Sequence, residues 1–419
     1  MERRRVAVIG GGVAGLTAAY VLQKACEVTL YEAEPRLGGH AHTHDLPADG
    51  GGTLGVDSGF IVHNARTYPH LLRLFNELGV HTQDSEMSMS VRCDGCALEY
   101  AGARGPASLF TGRAALRPRY LRLLAEVPLF HRAARKLLKQ GGPDHHTLGA
   151  FLGEHRFSPY FVSHFLTPLV SAVWSCAAAD ALQYPAAYLF RFLSHHGLLS
   201  ISGSPRWRTV TGGSAAYVHK VAKEIGTTIT ATPVVRVTRA PGRVQLATGE
   251  GEEQTYDAVV IATHPDQALR MLADPTPDES AVLGAFRYSS NPTVLHTDTS
   301  LLPRSTRARA SWNYHLPHCG TPAAGVRVSY DMTRLQRLTG ATTYVVSLNT
   351  AGQVPSERVL ARMEYAHPLY TPQSVAAQRM LPRLNTAVTA FAGAYHGWGF
   401  HEDGCRSGVR AAAALGVRW

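Results

Sequence analysis

The stretch "RRVAVIGGGVAGLTAAYVLQKACEVTLYEAE", from Arg4 to Glu34, decides the fold class. Val6 to Ile9 is an unbroken apolar run, the pattern of a strand buried on both faces. Gly10, Gly12 and Gly15 follow as G-x-G-x-x-G; Leu16 to Leu22 is apolar at helical spacing, and Val28 to Tyr31 reads as a second strand ending at Glu32. The glycines permit a tight turn, close backbone approach to a pyrophosphate and close helix–strand packing. Unpaired amides at the helix N-terminus, around Val13 and Ala14, favour phosphate oxygens. Glu32, followed by Ala33, lies seventeen residues past Gly15, where a carboxylate accepts hydrogen bonds from a ribose diol. The complete strand–turn–helix–strand unit predicts a dinucleotide-binding α/β protein.

The totals set the frame around this unit. A chain of 419 residues with 45% hydrophobic content exceeds the usual single domain, so two intertwined domains are expected. The formal charge is +10, but the basic residues are nearly all arginine; lysine occurs only at 24, 136, 139, 220 and 223. An arginine- and alanine-rich chain is what high-GC coding produces whatever the function, so the charge points only to an anionic partner such as a phospholipid headgroup or an acyl carrier. No basic run interleaved with aromatics is present, and nucleic acid is not expected as a partner. The start "MERRRVAVIGGG" lacks the apolar region and cleavage site of a secretory signal, so a cytoplasmic location is expected. The most apolar long segment, Phe161 to Ala179, is interrupted by His164 and Pro168 and reads as a buried or substrate-lining helix; peripheral membrane contact stays open.

Six scattered cysteines suit a reducing compartment. In "VRCDGCALEY", Cys93 and Cys96 flank Asp94-Gly95, a two-residue hairpin signal that sets them opposite each other on adjoining strands. A zinc site needs about four ligands and no second pair is spaced to supply them, so no metal is expected. Further along, Pro69 opens an amphipathic helix through Leu78, residues 106 to 205 are mostly helical by pattern, and "YDAVVIATHP" is another buried parallel strand. Strands recur from 268 to 375. The reading is of a nucleotide-binding domain from residues 1–90, 206–267 and 376–419, interleaved with a substrate or cap domain from 91–205 and 268–375.

A second glycine pair, Gly38-Gly39, follows the ribose acid closely, and this arrangement resembles the FAD-binding superfamily of flavin amine oxidases and phytoene desaturases. His40 stands where many of those enzymes carry arginine. His40, His42 and His44 alternate along an extended segment, either as imidazoles near the phosphates or flavin edge or as metal ligands. Together with the glycine unit, "GGHAHTHD", "VDSGFIVHN", "WRTVTGGSAAYV", "VVIATHPDQALRML", "ASWNYH", "SYDMTRLQ" and "GAYHGWGFHEDGCRSG" resemble the bacterial FAD-dependent oxidoreductase branch associated with cyclopropane-fatty-acid synthase-like methyltransferases. The resemblance implies a Rossmann-like FAD-binding domain with an interleaved α+β, amine-oxidase-like substrate domain. It also implies FAD contacts from the Val235 backbone, Gly393 and Glu402-Asp403-Gly404, and a methyltransferase as partner. Ser407-Gly408 is expected to open the last helix, whose N-terminus faces the flavin end of the cofactor.

The activity so implied is hydride removal from a C–H bond of an apolar, fatty-acyl or lipid-like substrate to form a double bond. A base must take a proton from the neighbouring carbon, and Tyr314, His315, His367, Tyr395 and His396 are the candidates. Trp312, Tyr314 and Trp398 are candidates for an aromatic wall. Three alternatives stay open: amine oxidation, redox-neutral double-bond isomerisation, and a non-catalytic FAD-bearing partner of a methyltransferase. Many amine oxidases of the superfamily hold a water against the flavin with a lysine; this chain has no lysine after Lys223, and arginine cannot readily handle that proton.

Overall fold

The computed structural model describes residues 3–143, 145–200, 203–320, 325–350 and 352–419. Arg5–Ile9 is the middle strand of a five-stranded parallel sheet ordered Thr227–Ile229, Glu27–Tyr31, Arg5–Ile9, Ala258–Ile261, Thr389–Phe391. Its continuous apolar run has a direct physical cause. Val6 and Val8 join a core with the helices Val13–Leu22 and His401–Ala414, whereas Ala7 and Ile9 join a different core with Val237, Leu246 and Phe391. Both faces are dry, so alternation would leave polar groups buried. The two helices pack closely on each other, with Gly408 against the backbone of Ala14 and Ala18.

A seven-stranded sheet forms the second layer system. Its order is Val359–Leu369, Arg287–His296, Val345–Leu348, Val328–Asp331, Trp312–Leu316, Met89–Cys93, Leu98–Gly102, with one parallel pairing, Trp312–Leu316 on Met89–Cys93. Helices between 106 and 195 cover it, and Phe130, Phe151, Phe161 and Phe190 interlock with sheet residues such as Tyr100 and Val328 in one core. The segment expected as one helix from Phe161 is divided: a π-helical turn, Val162–Leu166, precedes the helix Thr167–Trp174, and Thr167 Oγ1 donates back to Val162 O. Among the described residues no helix is long and apolar enough to cross a membrane.

Two local expectations are corrected. Cys93 pairs with Leu98, so the hairpin connection is Asp94–Ala97 and Cys96 lies within the turn instead of opposite Cys93. The last helix begins at His401, not Ser407, because the Asp403 carboxylate accepts the N–H groups of Trp398 and Phe400 at 2.9 and 3.2 Å and closes the helix start from its third residue.

Candidate functional site

The glycine turn is built for close approach. Gly10 has φ +104°, and a Cβ on Gly15 would lie 1.8 Å from Gly10 O, so neither position tolerates a side chain. Gly12 faces open space and caps the helix Val13–Leu22 with no side-chain hydrogen bond to its first amides. Gly38 N donates to Gly11 O at 2.8 Å, laying the second glycine pair alongside the first; Arg36 Nη1 holds Gly39 O at 2.8 Å. Glu32 folds inward, its Oε2 accepting from Gly11 N at 2.6 Å and its Oε1 from Glu34 N at 2.8 Å, while Ala33 is exposed. Thr232 N donates to the main-chain O of Glu32, which ties the start of the strand Val234–Ala240, with the half-exposed Val235, to the end of the strand Glu27–Tyr31.

His40 turns from the glycine pair toward the second sheet. Its ring centroid lies 4.9 Å from Tyr365 and 5.4 Å from His367, and its Nε2 is buried without a partner. Burial drives its pKa well below the ordinary imidazole value. His367 is lowered to about 4 by burial, with His264 adding to the effect. Asn349 Nδ2 donates to Asn291 Oδ1 at 2.8 Å, and the Asn291 amide then donates to His367 Nδ1 at 3.1 Å. This chain of donors makes Nδ1 an acceptor and leaves the neutral ring's N–H on Nε2. His42 and His44 pack ring against ring, tilted at 34° with centroids 4.1 Å apart, and bond to Tyr365 Oη and Ser58 Oγ, so the three alternating imidazoles do not converge on one point.

The late segment supplies another wall. The turn Ala394–His396 follows Gly393, where a Cβ would lie 2.2 Å from the Tyr395 ring. Tyr395 Oη, His396 Nε2 and Trp398 Nε1 are buried and unpartnered, and His396 is lowered to about 3 by burial and then by the charges of Arg410 and Arg406. Ser407 Oγ lies inside the helix, accepting from Gly393 N at 2.8 Å and donating to Gly404 O. Both acidic side chains are occupied: Glu402 accepts from His70 N, His70 Nδ1 and Leu71 N, capping the helix Pro69–Glu77, and Asp403 also binds Arg406 at 2.6 Å. They are anchors of backbone, and Gly404 packs on Val13.

Tyr314 and His315 do not join the other candidates. Their strand stands four places from that of His367 in the sheet, about 19 Å at usual strand spacing. Tyr314 is buried in the helix-covered core, and His315 Nε2 binds Asp94 Oδ2 at 2.7 Å. The expected aromatic trio likewise separates: Trp312 packs on Tyr330, while Trp398 packs with Tyr188, Phe192 and His195 beside a cleft of about 920 Å³. Tyr365, Asn291 and His264 were not singled out from the sequence. A signal existed for Tyr365, since Tyr365 and His367 alternate onto one strand face, but the pairing of Asn291 with Tyr365 spans a sequence distance that no local pattern reports.

With this geometry in place, a model of the family described as flavin containing amine oxidoreductase matches residues 13–301, more than half of the chain. The chain belongs to that family. It is an enzyme, an FAD-dependent oxidoreductase. Among curated relatives, a carotenoid phi-ring synthase from Streptomyces griseus is 30% identical over 293 residues, covering 65% of this chain and 54% of that protein. The chain thus spans about half the length of this relative. Among solved structures, cyclohexylamine oxidase from Brevibacterium oxydans IH-35A aligns with TM-score 0.71 and 19% identity over 99% of this chain and 98% of that one. A CLA-producing fatty acid isomerase from P. acnes aligns with TM-score 0.64 and 15% identity over 97% of each. At these identities the structural likenesses speak for the fold. The residues present fit a flavin dinucleotide: open space and uncapped amides lie over Gly12, and unpartnered buried polar atoms on His40, Tyr395, His396 and Trp398 lie farther along.

Proposed function

We propose that this flavin enzyme removes hydrogen from neighbouring carbons of an apolar, fatty-acyl or lipid-like substrate and leaves a double bond. The observation that carries the reading is that three buried imidazoles, those of His40, His367 and His396, are all held neutral by burial, and that no lysine follows Lys223. A lining that resists protonation suits a substrate without charge better than an ammonium ion. Gly10, Gly12, Gly15 and the amides of Val13 and Ala14 would hold the pyrophosphate, and Glu32 would exchange Gly11 N–H for ribose hydroxyls. Gly38, Gly39, His40, the Val235 backbone, Gly393 and the first turn of the last helix would complete the cradle. Bound FAD supplies a two-electron acceptor for a hydride. Of the candidate bases, His396 Nε2 is buried and unpartnered and would accept the proton, a step that costs the burial penalty which lowers its pKa; His367 offers its Nε2–H to orient a polar group.

Anaerobic mixing of the FAD-bound protein with fatty-acyl chains and, separately, with amines tests this reading. Bleaching of the flavin by the acyl chain, with a product two hydrogens lighter, supports it, and bleaching by amines alone overturns it. A rearranged product of unchanged hydrogen count selects double-bond isomerisation instead.

The branch associated with cyclopropane-fatty-acid synthase-like methyltransferases, a methyltransferase partner and the domain division given above belong to the same proposal. So does contact with an anionic membrane surface, supported by the helical insertion. Phe110, Leu116, Leu121 and Leu129 are exposed there at 44, 66, 45 and 59%, among exposed Arg113, Arg117, Arg119 and Arg132.

A further inference from the structure

A second cluster of reactive side chains lies across the seven-stranded sheet from His367. The turn after Met89–Cys93 brings Cys96 back toward Cys93; the π-helical turn Val162–Leu166 supplies His164; the loop beyond Trp312–Leu316 supplies Cys319. Three sulfurs and one imidazole nitrogen from these segments all lie within 4.8 Å of one another. Cys93, Cys96 and His164 are buried and Cys319 is half-buried.

We propose that Cys93, Cys96, His164 and Cys319 bind one zinc ion as a closed structural site. The spacing matches tetrahedral coordination. Bonds of about 2.3 Å to sulfur and about 2.0 Å to nitrogen place neighbouring ligands about 3.8 Å apart for sulfur–sulfur and about 3.5 Å for sulfur–nitrogen. The observed Cys93 Sγ–Cys319 Sγ and Cys96 Sγ–His164 Nε2 separations are 3.8 and 3.6 Å. A disulfide would require about 2.05 Å between sulfurs and would leave the third thiol and the imidazole unexplained. The donor set of three sulfurs and one nitrogen excludes the oxygen-seeking calcium and magnesium.

The surroundings orient the ligands. Ser163 Oγ lies 2.7 Å from His164 Nδ1, leaving Nε2 for the metal, and the Tyr160 ring stacks on the imidazole at 3.9 Å and 19°. Tyr100 Oη donates to His164 O at 2.7 Å, fixing the π-helical turn on the sheet. Three thiolates on one zinc leave a net negative charge. Arg117 Nη1 binds Cys96 O at 3.0 Å, and Arg119 lies over Tyr160 at 4.9 Å, lining a small cleft with Cys319. Four protein ligands leave no open position for substrate water, so the ion would staple the hairpin, the helical insertion and the late loop together.

The test is metal analysis of the FAD-bound full-length protein purified without chelators from zinc-replete cells. About one zinc per chain is expected. Cys96→Ser and Cys319→Ser are expected to lose it and Cys26→Ser to keep it. Substoichiometric zinc in the wild type, zinc unchanged in both ligand variants, or a Cys93–Cys319 disulfide found by mass analysis overturns the proposal. Should the ligand variants not fold, X-ray absorption at the zinc edge of the wild type decides. Three sulfur neighbours and one nitrogen support the site, and a shell of nitrogen and oxygen alone overturns it.

Discussion

Replacing Gly408 with alanine tests whether the FAD end of the fold depends on a backbone-to-backbone contact between two helices distant in sequence. A Cβ at this position would lie 2.3 Å from Ala14 O, 3.0 Å from Ala18 N and 3.1 Å from Thr17 Cβ. Relief to an ordinary separation of about 3.5 Å asks the helices to part by about 1 Å. Neither helix backbone can yield by rotating a side chain, so overpacking should cost about 1–3 kcal/mol beyond the helix preference for alanine, itself about 1 kcal/mol. A net fall in melting temperature of about 1–3 °C is expected for a chain of this length, with earlier release of flavin fluorescence. Gly404→Ala is the graded comparison: its Cβ meets Val13 Cγ1 at 2.6 Å, a side-chain atom that can move, and a smaller loss is expected. Gly153→Ala is the control, since nothing lies within 4 Å of its Cβ and it sits inside the helix Leu148–Glu154; it should be neutral or stabilising. A Gly408→Ala protein as stable as the wild type, with unchanged flavin release, would refute the reasoning.

Glu402→Ala strips the cap from the helix Pro69–Glu77 and should destabilise by about 1–2 kcal/mol in chemical denaturation. His396→Gln should slow anaerobic flavin reduction by the acyl substrate about 100-fold, read by stopped-flow absorbance, if this nitrogen takes the proton. The same ring has its folded pKa lowered to about 3. Between the unfolded value of about 6.5 and that point the unfolded chain binds a proton that the native chain refuses, so stability falls as pH falls, by about 1.4 kcal/mol per unit for each such group. Denaturation midpoints between pH 6 and about 4.5 should therefore show a shallower slope in His396→Gln than in the wild type. Leu116→Ser with Leu129→Ser should weaken sedimentation with anionic vesicles while leaving melting unchanged, since both side chains are exposed.

Legibility followed the range of the interactions. The turn from Gly10 to Gly15 and the adjoining strands were readable because their contacts form within a few residues. The start of the last helix was misread, although Asp403 three residues past Phe400 is a local cue, because the glycine-rich run masked it. Glu402 and Asp403 were expected to be anchored to backbone or ribityl hydroxyls, and both are held by backbone amides; what no local pattern reported is that the amide of Leu71, from which Glu402 accepts, lies more than three hundred residues away in sequence.

From the sequence alone came the class of fold and the glycine turn with Glu32 beside it, since a buried parallel strand and a tight turn restrict residue type position by position. Tertiary structure decided which side chains meet. His40 from the cradle faces Tyr365 and His367 from the far sheet, Tyr314 and His315 are carried away by strand order, and a lone histidine and a lone cysteine complete the Cys93–Cys96 pair. Strand pairing and helix docking between distant segments are chosen by the burial of whole surfaces, and that choice leaves no periodic trace around any single residue.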